Sequence, residues 1–283
     1  MAWGARIAKP LGYPLIAAAF AISVAGCAGT DSVEDRQRAG TRVDLAKDFL
    51  RQGELQPAAT EAKRALEHDP QAEEAHNILG LVSFFRALSN FQLLEIESCL
   101  TGVDAEGLRM EMDEHLLQAA EHFERAVAAA PGFGEAWSNR GSVALRLGDH
   151  REAISYFDEA LAHPARLANP AVTRANLGWA YFKLERHPEA AKELRQARQF
   201  QPQMCLATYR LGRVYFERQE WENALDSFED VISSNCPIQE AHLYRMKTQV
   251  ELGMIDSLSE AEGACVSLAP SSCVAARCRA LVP

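Results

Sequence analysis

A helix-breaking residue recurs in this chain where helices are otherwise indicated. Gly80, Gly141, Gly178 and Gly212 each sit inside an apolar-periodic stretch. Glycine weakens a helix by about 1 kcal/mol relative to alanine. Its return at one register therefore calls for a packing reason. The clearest copy spans 176–202. Leu177, Gly178 and Tyr181 share one helical face. Ala190, Leu194 and Ala197 share the face of a second helix, and Pro202 closes it. A side chain at Gly178 would push the two helices apart. The alanines keep the second helix equally close. The unit is a pair of antiparallel helices.

Such a pair within 34 residues resembles the tetratricopeptide repeat. The pattern returns six times from about residue 39, each copy ending near a proline. The first ends at Pro70, with Leu45, Phe49, Ala58 and Ala65 in register. The second has Leu79, Gly80, Ala119, Phe123 and Ala126, and ends at Pro131. The third has Trp137, Gly141, Gly148, Ala153, Phe157 and Ala160. The fourth is the stretch above. The fifth has Leu211, Gly212, Tyr215, Ala224 and Phe228, and ends near Pro237. The sixth, ending at Pro270, is degenerate, with Arg245 and Met246 where Leu and Gly are usual. Terminal repeats are often atypical because they cap the stack. Residues 272–281 read as one further capping helix. The resemblance implies an all-α fold, a right-handed superhelical solenoid of six helix-turn-helix repeats over 39–270, with a C-terminal cap over 271–283.

The second repeat is interrupted. From Gly80 to Ala119 is 39 positions, where Gly178 to Ala190 is 12. The excess lies near 87–113. It predicts a lengthened first helix, a loop around Gly102, and a lengthened second helix from about Asp104 or Met112. Insertions in a solenoid map to one face and are often functional. The apolar Phe84, Phe85, Phe91 and Leu94 favour a packing or docking role over a neutral extension.

Residues 1–26 lie outside the repeats. Arg6 and Lys9 precede a short apolar run, 15–25. A spanning helix needs about 20 residues, so the run reads as a secretory signal. It ends Val24-Ala25-Gly26-Cys27, which resembles the bacterial lipobox. The alternative is an ordinary secretory signal with an incidental cysteine. The lipobox implies cleavage before Cys27, a diacylglycerol thioether on its sulfur, and acylation of its freed amine, for instance by palmitate. Several acyl chains anchor a protein stably without a spanning helix. Ala28 follows Cys27; in such lipoproteins an Asp there often signals inner-membrane retention, so Ala implies the outer membrane. Residues 27–38 are small and polar and read as a flexible tether.

Seven cysteines are present: Cys27, Cys99, Cys205, Cys236, Cys265, Cys273 and Cys278. With Cys27 lipidated, six remain, an even number that suggests disulfides in an exported protein. Cys205 opens the first helix of the fifth repeat and Cys236 closes its second, so antiparallel packing brings them together. Cys265 faces the capping helix that carries Cys278. Cys273–Cys278 competes with that pair, but five residues along a helix fit disulfide geometry badly. Cys99 either stays free or pairs with Cys273. No cysteine or histidine spacing suits zinc.

At 283 residues and 48% hydrophobic content the chain can bury a large core. Its formal charge of −10 argues against nucleic-acid binding. No phosphate loop, nucleophile elbow or metalloprotease motif occurs. Glu111, His115 and His122 share helical spacing, but read as a solvated face of the lengthened helix rather than a metal site. The repeats leave no room for a catalytic domain. No enzyme activity, cofactor or small-molecule substrate is expected.

The informative surface is the groove lined by the first helix of each repeat. Its expected positions are Leu81, Phe84 and Phe85 in the second repeat, Arg146 in the third, Trp179 and Phe182 in the fourth, and Tyr209, Arg213 and Phe216 in the fifth. Aromatic residues with arginine mark protein-binding hot spots. Some of these rings can instead pack within the repeats. The two-lysine clamp of some tetratricopeptide proteins for a terminal carboxylate is missing, since Ser142 and Trp179 replace the expected Asn. A peptide with apolar residues is the expected partner.

A lipobox followed by six such repeats resembles the pilotin lipoproteins of type IV pili, the PilF/PilW/Tgl type. The resemblance covers 24–27 and roughly 39–270. It implies an outer-membrane lipoprotein, facing the periplasm, that binds secretin subunits and promotes their insertion and multimerisation. The alternative is a scaffold lipoprotein of another envelope complex, for porin assembly or cell-wall synthesis.

Overall fold

In a computed structural model the described residues, 28–97 and 105–282, form thirteen α-helices and no strand. They are α1 (Ala28–Arg51), α2 (Leu55–His68), α3 (Glu73–Glu97), α4 (Ala105–Ala129), α5 (Gly134–Leu147), α6 (His150–Ala162), α7 (Pro170–Lys183), α8 (His187–Phe200), α9 (Cys205–Glu217), α10 (Trp221–Ser233), α11 (Gln239–Glu251), α12 (Leu258–Leu268) and α13 (Cys273–Arg279). Each odd-numbered helix up to α11 packs against the next to make a hairpin, and each hairpin stacks on its neighbour. The fold is a tetratricopeptide-repeat solenoid. The signal, Cys27 and Cys99 lie outside the described residues.

The glycine register has the expected role. A Cβ on Gly80, Gly141 or Gly212 would lie 2.6–2.7 Å from a ring carbon of Phe123, Phe157 or Phe228. On Gly178 it would lie 2.8 Å from Cγ of Leu194. All four partners are fully buried on the second helix of the same hairpin. In the first repeat, Ala46 and Ala62 are fully buried in one core with Ala58 and Ala65. In the sixth, Met246 is fully buried against Leu258, Ala261 and Cys265.

The leucine that precedes the glycine packs backwards onto the previous hairpin. Leu177 sits in a core with Ala153 and Phe157, and Leu211 in one with Ala190 and Ala191. Leu45 holds the same register in α1, yet it is 38% exposed. Among the described residues no helix pair precedes α1, so no earlier hairpin there covers Leu45.

The tight turn of each hairpin other than the second, whose connection lies outside the described residues, has a left-handed residue. Gly53, Gly148 and Gly253 supply it with φ of 77°, 90° and 74°. Glu185 and Gln219 hold the same place in the fourth and fifth repeats, with φ of 58° and 59°.

At the ends of the array the expected capping helix is present, whereas the expected flexible tether is not. The tether is helical, because α1 begins at Ala28. Propensity does not explain it, since Gly29, Thr30, Asp31, Ser32 and Val33 are weak helix formers; Glu34 and Arg38 pair along the helix at 2.6 Å, and Ala39 and Val43 further on are buried against α2 and α3. The cap is α13, which covers α11 and α12 through Val274, Cys278 and Leu281. Within the insertion, α3 and α4 each run 25 residues where α5 has 14. They remain packed on each other through Ala87, Leu116 and Met112. The loop 98–104 lies outside the described residues.

The disulfides follow repeat geometry. Cys205 is bonded to Cys236, with Cα atoms 6.0 Å apart, and Cys265 to Cys278, at 6.5 Å. Cys273 is disulfide-bonded as well. The competing pair Cys273–Cys278 is therefore excluded.

Candidate protein-binding groove

The first helices contact one another along the inner face: α5 with α7, α7 with α9, α9 with α11. A ladder of polar contacts ties them. Asn139 Nδ2 donates to Asn77 Oδ1 at 3.0 Å, and Ser138 and Thr173 share a hydrogen bond of 2.8 Å. Asn176 Nδ2 donates to Ser142 Oγ at 3.2 Å. Arg210 Nη1 donates to the Ala175 carbonyl and to Asn176 Oδ1, both at 2.9 Å. Burial, with Arg146 adding, pushes the Arg210 guanidinium down to about 9, so it stays charged at neutral pH. These contacts satisfy groups that would otherwise be buried without partners.

Above the ladder lies a cluster of rings and cations. Trp179 and Phe182 stack with centroids 4.5 Å apart and planes 10° from parallel. Lys183 Nζ is 5.4 Å from the Trp179 centroid, Arg210 Cζ 5.3 Å and Arg213 Cζ 5.7 Å. Arg213 Cζ also lies 5.4 Å from the Phe182 ring and 3.8 Å from that of Tyr244. Arg213 Nη1 donates to Tyr209 Oη at 3.2 Å. Burial pushes the Tyr209 phenol up to about 12, so it remains a neutral acceptor and donor. Phe216 meets Trp221 and Tyr244 edge-on, at 5.2 and 5.3 Å. Such cation–ring contacts contribute about 0.5–2 kcal/mol each.

The nine expected positions therefore divide. Trp179, Arg213 and Phe216 are half-buried and converge. Phe182 and Tyr209 are buried, and form the floor beneath them. Arg146 is exposed and acts on Arg210. Leu81 and Phe84 belong instead to the core of the second repeat, with Ala87 and Leu116. Phe85 is 40% exposed on α3. Leu81 also lines a separate cavity of about 420 Å³ with Leu50, Ile78, Phe133 and Leu167. Sequence reading missed Arg210, Tyr244 and Lys247. Lys247 lies one repeat beyond Arg213, and Tyr244 one repeat beyond Arg210, in the degenerate copy.

Histidines behave differently from the expectation too. His115 Nε2 lies 3.8 Å from Glu111 Oε1, but His122 turns to His76, with their Nδ1 atoms 3.4 Å apart. Burial and the neighbouring His76 push His122 down to about 4. Among the described residues no group of three His, Cys, Asp or Glu is arranged for a metal ion. No helix among them is long and apolar enough to cross a membrane.

Comparison with known proteins agrees with this architecture. Two families described as tetratricopeptide repeat match the chain, one over residues 133–203 and the other over 43–86 and 175–242. The crystal structure of PilW, described as a widely conserved type IV pilus biogenesis factor, superposes with a TM-score of 0.66. It shares 22% identity and covers 85% of this chain and 97% of its own. Pseudomonas aeruginosa pilF has a TM-score of 0.66 at 15% identity, over 87% of this chain and 99% of that one. YrrB, described as a tetratricopeptide protein with an unusual peptide-binding site, has a TM-score of 0.50 at 20% identity, over 72% and 91%. The human antiviral effector IFIT1 is 28% identical over 116 residues, 41% of this chain. The chain spans only 23% of that relative.

Proposed function

We propose that this tetratricopeptide-repeat chain is a pilotin, an outer-membrane lipoprotein that binds secretin subunits and promotes their insertion and multimerisation during type IV pilus biogenesis. The observation that carries this reading is the likeness to PilW, the described type IV pilus biogenesis factor, over 85% of this chain and 97% of that one. The lipobox at 24–27 supports it, since it supplies an anchor on Cys27. The disulfides Cys205–Cys236 and Cys265–Cys278 suit an oxidising compartment such as the periplasm. The groove around Trp179, Arg213 and Phe216 is the surface assigned to the secretin. The chain works as a scaffold and performs no chemistry of its own.

The lipid anchor holds the repeats at the periplasmic face, and the groove engages the subunit. Replacing Cys27 by Ala tests the anchor. The variant should leave the outer-membrane fraction and lower pilus assembly. Unchanged flotation with outer membranes and normal pili would remove the anchor from the account. Co-purification from detergent-solubilised membranes tests the partner. Recovery of a porin-assembly or cell-wall complex without secretin would point to the alternative scaffold role.

A further inference from the structure

On the other faces of the C-terminal repeats, four arginines have acidic partners. Arg174 pairs with Glu193 at 2.6 Å, Arg186 with Glu189 at 2.8 Å, Arg198 with Asp230 at 3.1 Å and Arg218 with Glu220 at 2.7 Å. The groove is different. Lys183, Lys247 and Arg277 carry no ion pair among the described residues. Arg210 is held by a carbonyl and an amide oxygen, both uncharged. Arg213 approaches Glu217 only to 3.8 Å, and its buried Nε has no hydrogen-bond partner. Lys183, Arg210 and Arg213 flank the one Trp179 ring, and Arg213 and Lys247 share the Tyr244 ring. Arg213 and Arg277 both push the Lys247 ammonium down after burial does, while Glu217 opposes them. Arg146 acts on Arg210 in the same way. Glu240 is the further acid that faces Tyr209.

A chain with a net charge of −10 thus gathers Lys183, Lys247 and Arg277, which carry no ion pair among the described residues, around Arg213, whose one ion pair there is long. Like charges held together cost free energy in the free protein. A ligand carboxylate removes that cost and gains charge-assisted hydrogen bonds. The rings give the cations a fixed setting: Arg213 lies over Tyr244, Phe182 and Trp179.

We propose that the groove between α7 and α13 recognises an acidic peptide segment, its carboxylates taken by Lys183, Arg213 and Lys247 and an adjacent aromatic or aliphatic side chain by Trp179 and Phe216. The inference rests on the reading of this groove as the partner surface, and adds the chemistry of the partner. It also moves the centre of recognition toward the sixth repeat.

The test is fluorescence anisotropy with the full-length protein in a non-ionic detergent. The probes are a labelled short peptide alternating Glu and Phe with Ser, and its Gln and Lys counterparts. The Glu peptide should bind at least about tenfold more tightly than the Gln peptide at about 50 mM salt, and the difference should shrink at about 500 mM. Lys183→Glu with Lys247→Glu should erase that preference without changing the far-UV spectrum or the melting temperature. Lys247→Gln should reduce it at least about threefold, and serves if the double variant misfolds. Equal binding of the Glu and Gln peptides, both lost in Trp179→Ala, would overturn the charge assignment and leave the groove in place. No binding of any peptide, or binding indifferent to Trp179→Ala, would overturn both. Binding only to vesicles of phosphatidylglycerol would assign the cations to a lipid surface and overturn the proposal.

Discussion

The Phe157 ring fills the space that a side chain on Gly141 would need. A Cβ there would stand 2.6 Å from Phe157 Cε1, and the ring is fully buried on α6. Alanine favours a helix over glycine by about 1 kcal/mol. Overpacking a close-packed core costs about 1–3 kcal/mol. The clash is with a ring confined on all sides, so the second effect wins. Gly141→Ala should lower the unfolding free energy by up to about 2 kcal/mol. Chemical denaturation measures this, and a stabilised variant would refute the packing role of the register.

The turn residues predict the opposite sign. Glu185 and Gln219 adopt left-handed backbone angles that Gly148 and Gly253 adopt without a Cβ penalty. Glu185→Gly and Gln219→Gly should each leave stability unchanged or raise it by up to about 1 kcal/mol. Substituting Gly148 by Ala should destabilise by a similar amount. A drop in melting temperature for Gln219→Gly would show that its side chain contributes more than its backbone costs.

The bridge from Cys265 to Cys278 ties α13 to α12 across 13 positions. A loop of that size contributes about 3 kcal/mol through the unfolded chain. Cys265→Ala with Cys278→Ala should loosen the C-terminal hairpin by about that much while the N-terminal repeats hold. Limited proteolysis should then cut first near 269–272. Cleavage that begins elsewhere would show that the bridge does not limit opening of this end.

His76 and His122 make the second repeat sensitive to acid. In the unfolded chain a histidine protonates near 6.5. In the folded chain burial, then the proximity of His76, hold His122 down to about 4. The unfolded state therefore binds more protons between those values. Stability should fall as pH drops from about 6.5 to about 4, by at most about 3 kcal/mol from this group. His122→Gln should flatten that slope, seen as smaller denaturation-midpoint changes between pH 7 and pH 5. An identical slope in the variant would place the titration elsewhere.

Much of the scaffold was legible because packing against a constant neighbour repeats in the sequence. Gly80, Gly141, Gly178 and Gly212 announce their partners at a fixed offset. The insertion shows as a break in that offset, and Cys205 and Cys236 fall at adjoining ends of one hairpin. The groove was only half legible. Trp179, Arg213 and Phe216 follow from register, but no period distinguishes an open ring from one in the floor, and Phe182 and Tyr209 are buried. Arg210 was invisible because its partners, the Ala175 carbonyl and Asn176, belong to the previous repeat. Leu45 and the helical start at Ala28 depend on what flanks the array rather than on the repeat itself. His76 and His122 hold the register of Trp137 and Tyr156, which meet in the next hairpin, but the insertion between α3 and α4 hides that offset in the sequence.

The central claim joins the groove to secretin assembly. Its most direct test is the amount of heat-stable secretin multimer in outer membranes of a deletion strain, complemented with the wild-type chain or with Trp179→Ala plus Phe216→Ala. The account predicts that multimers vanish in the deletion, return with the wild-type chain, and stay several-fold lower with the double variant at equal protein level. Normal multimer levels in the deletion strain would contradict it.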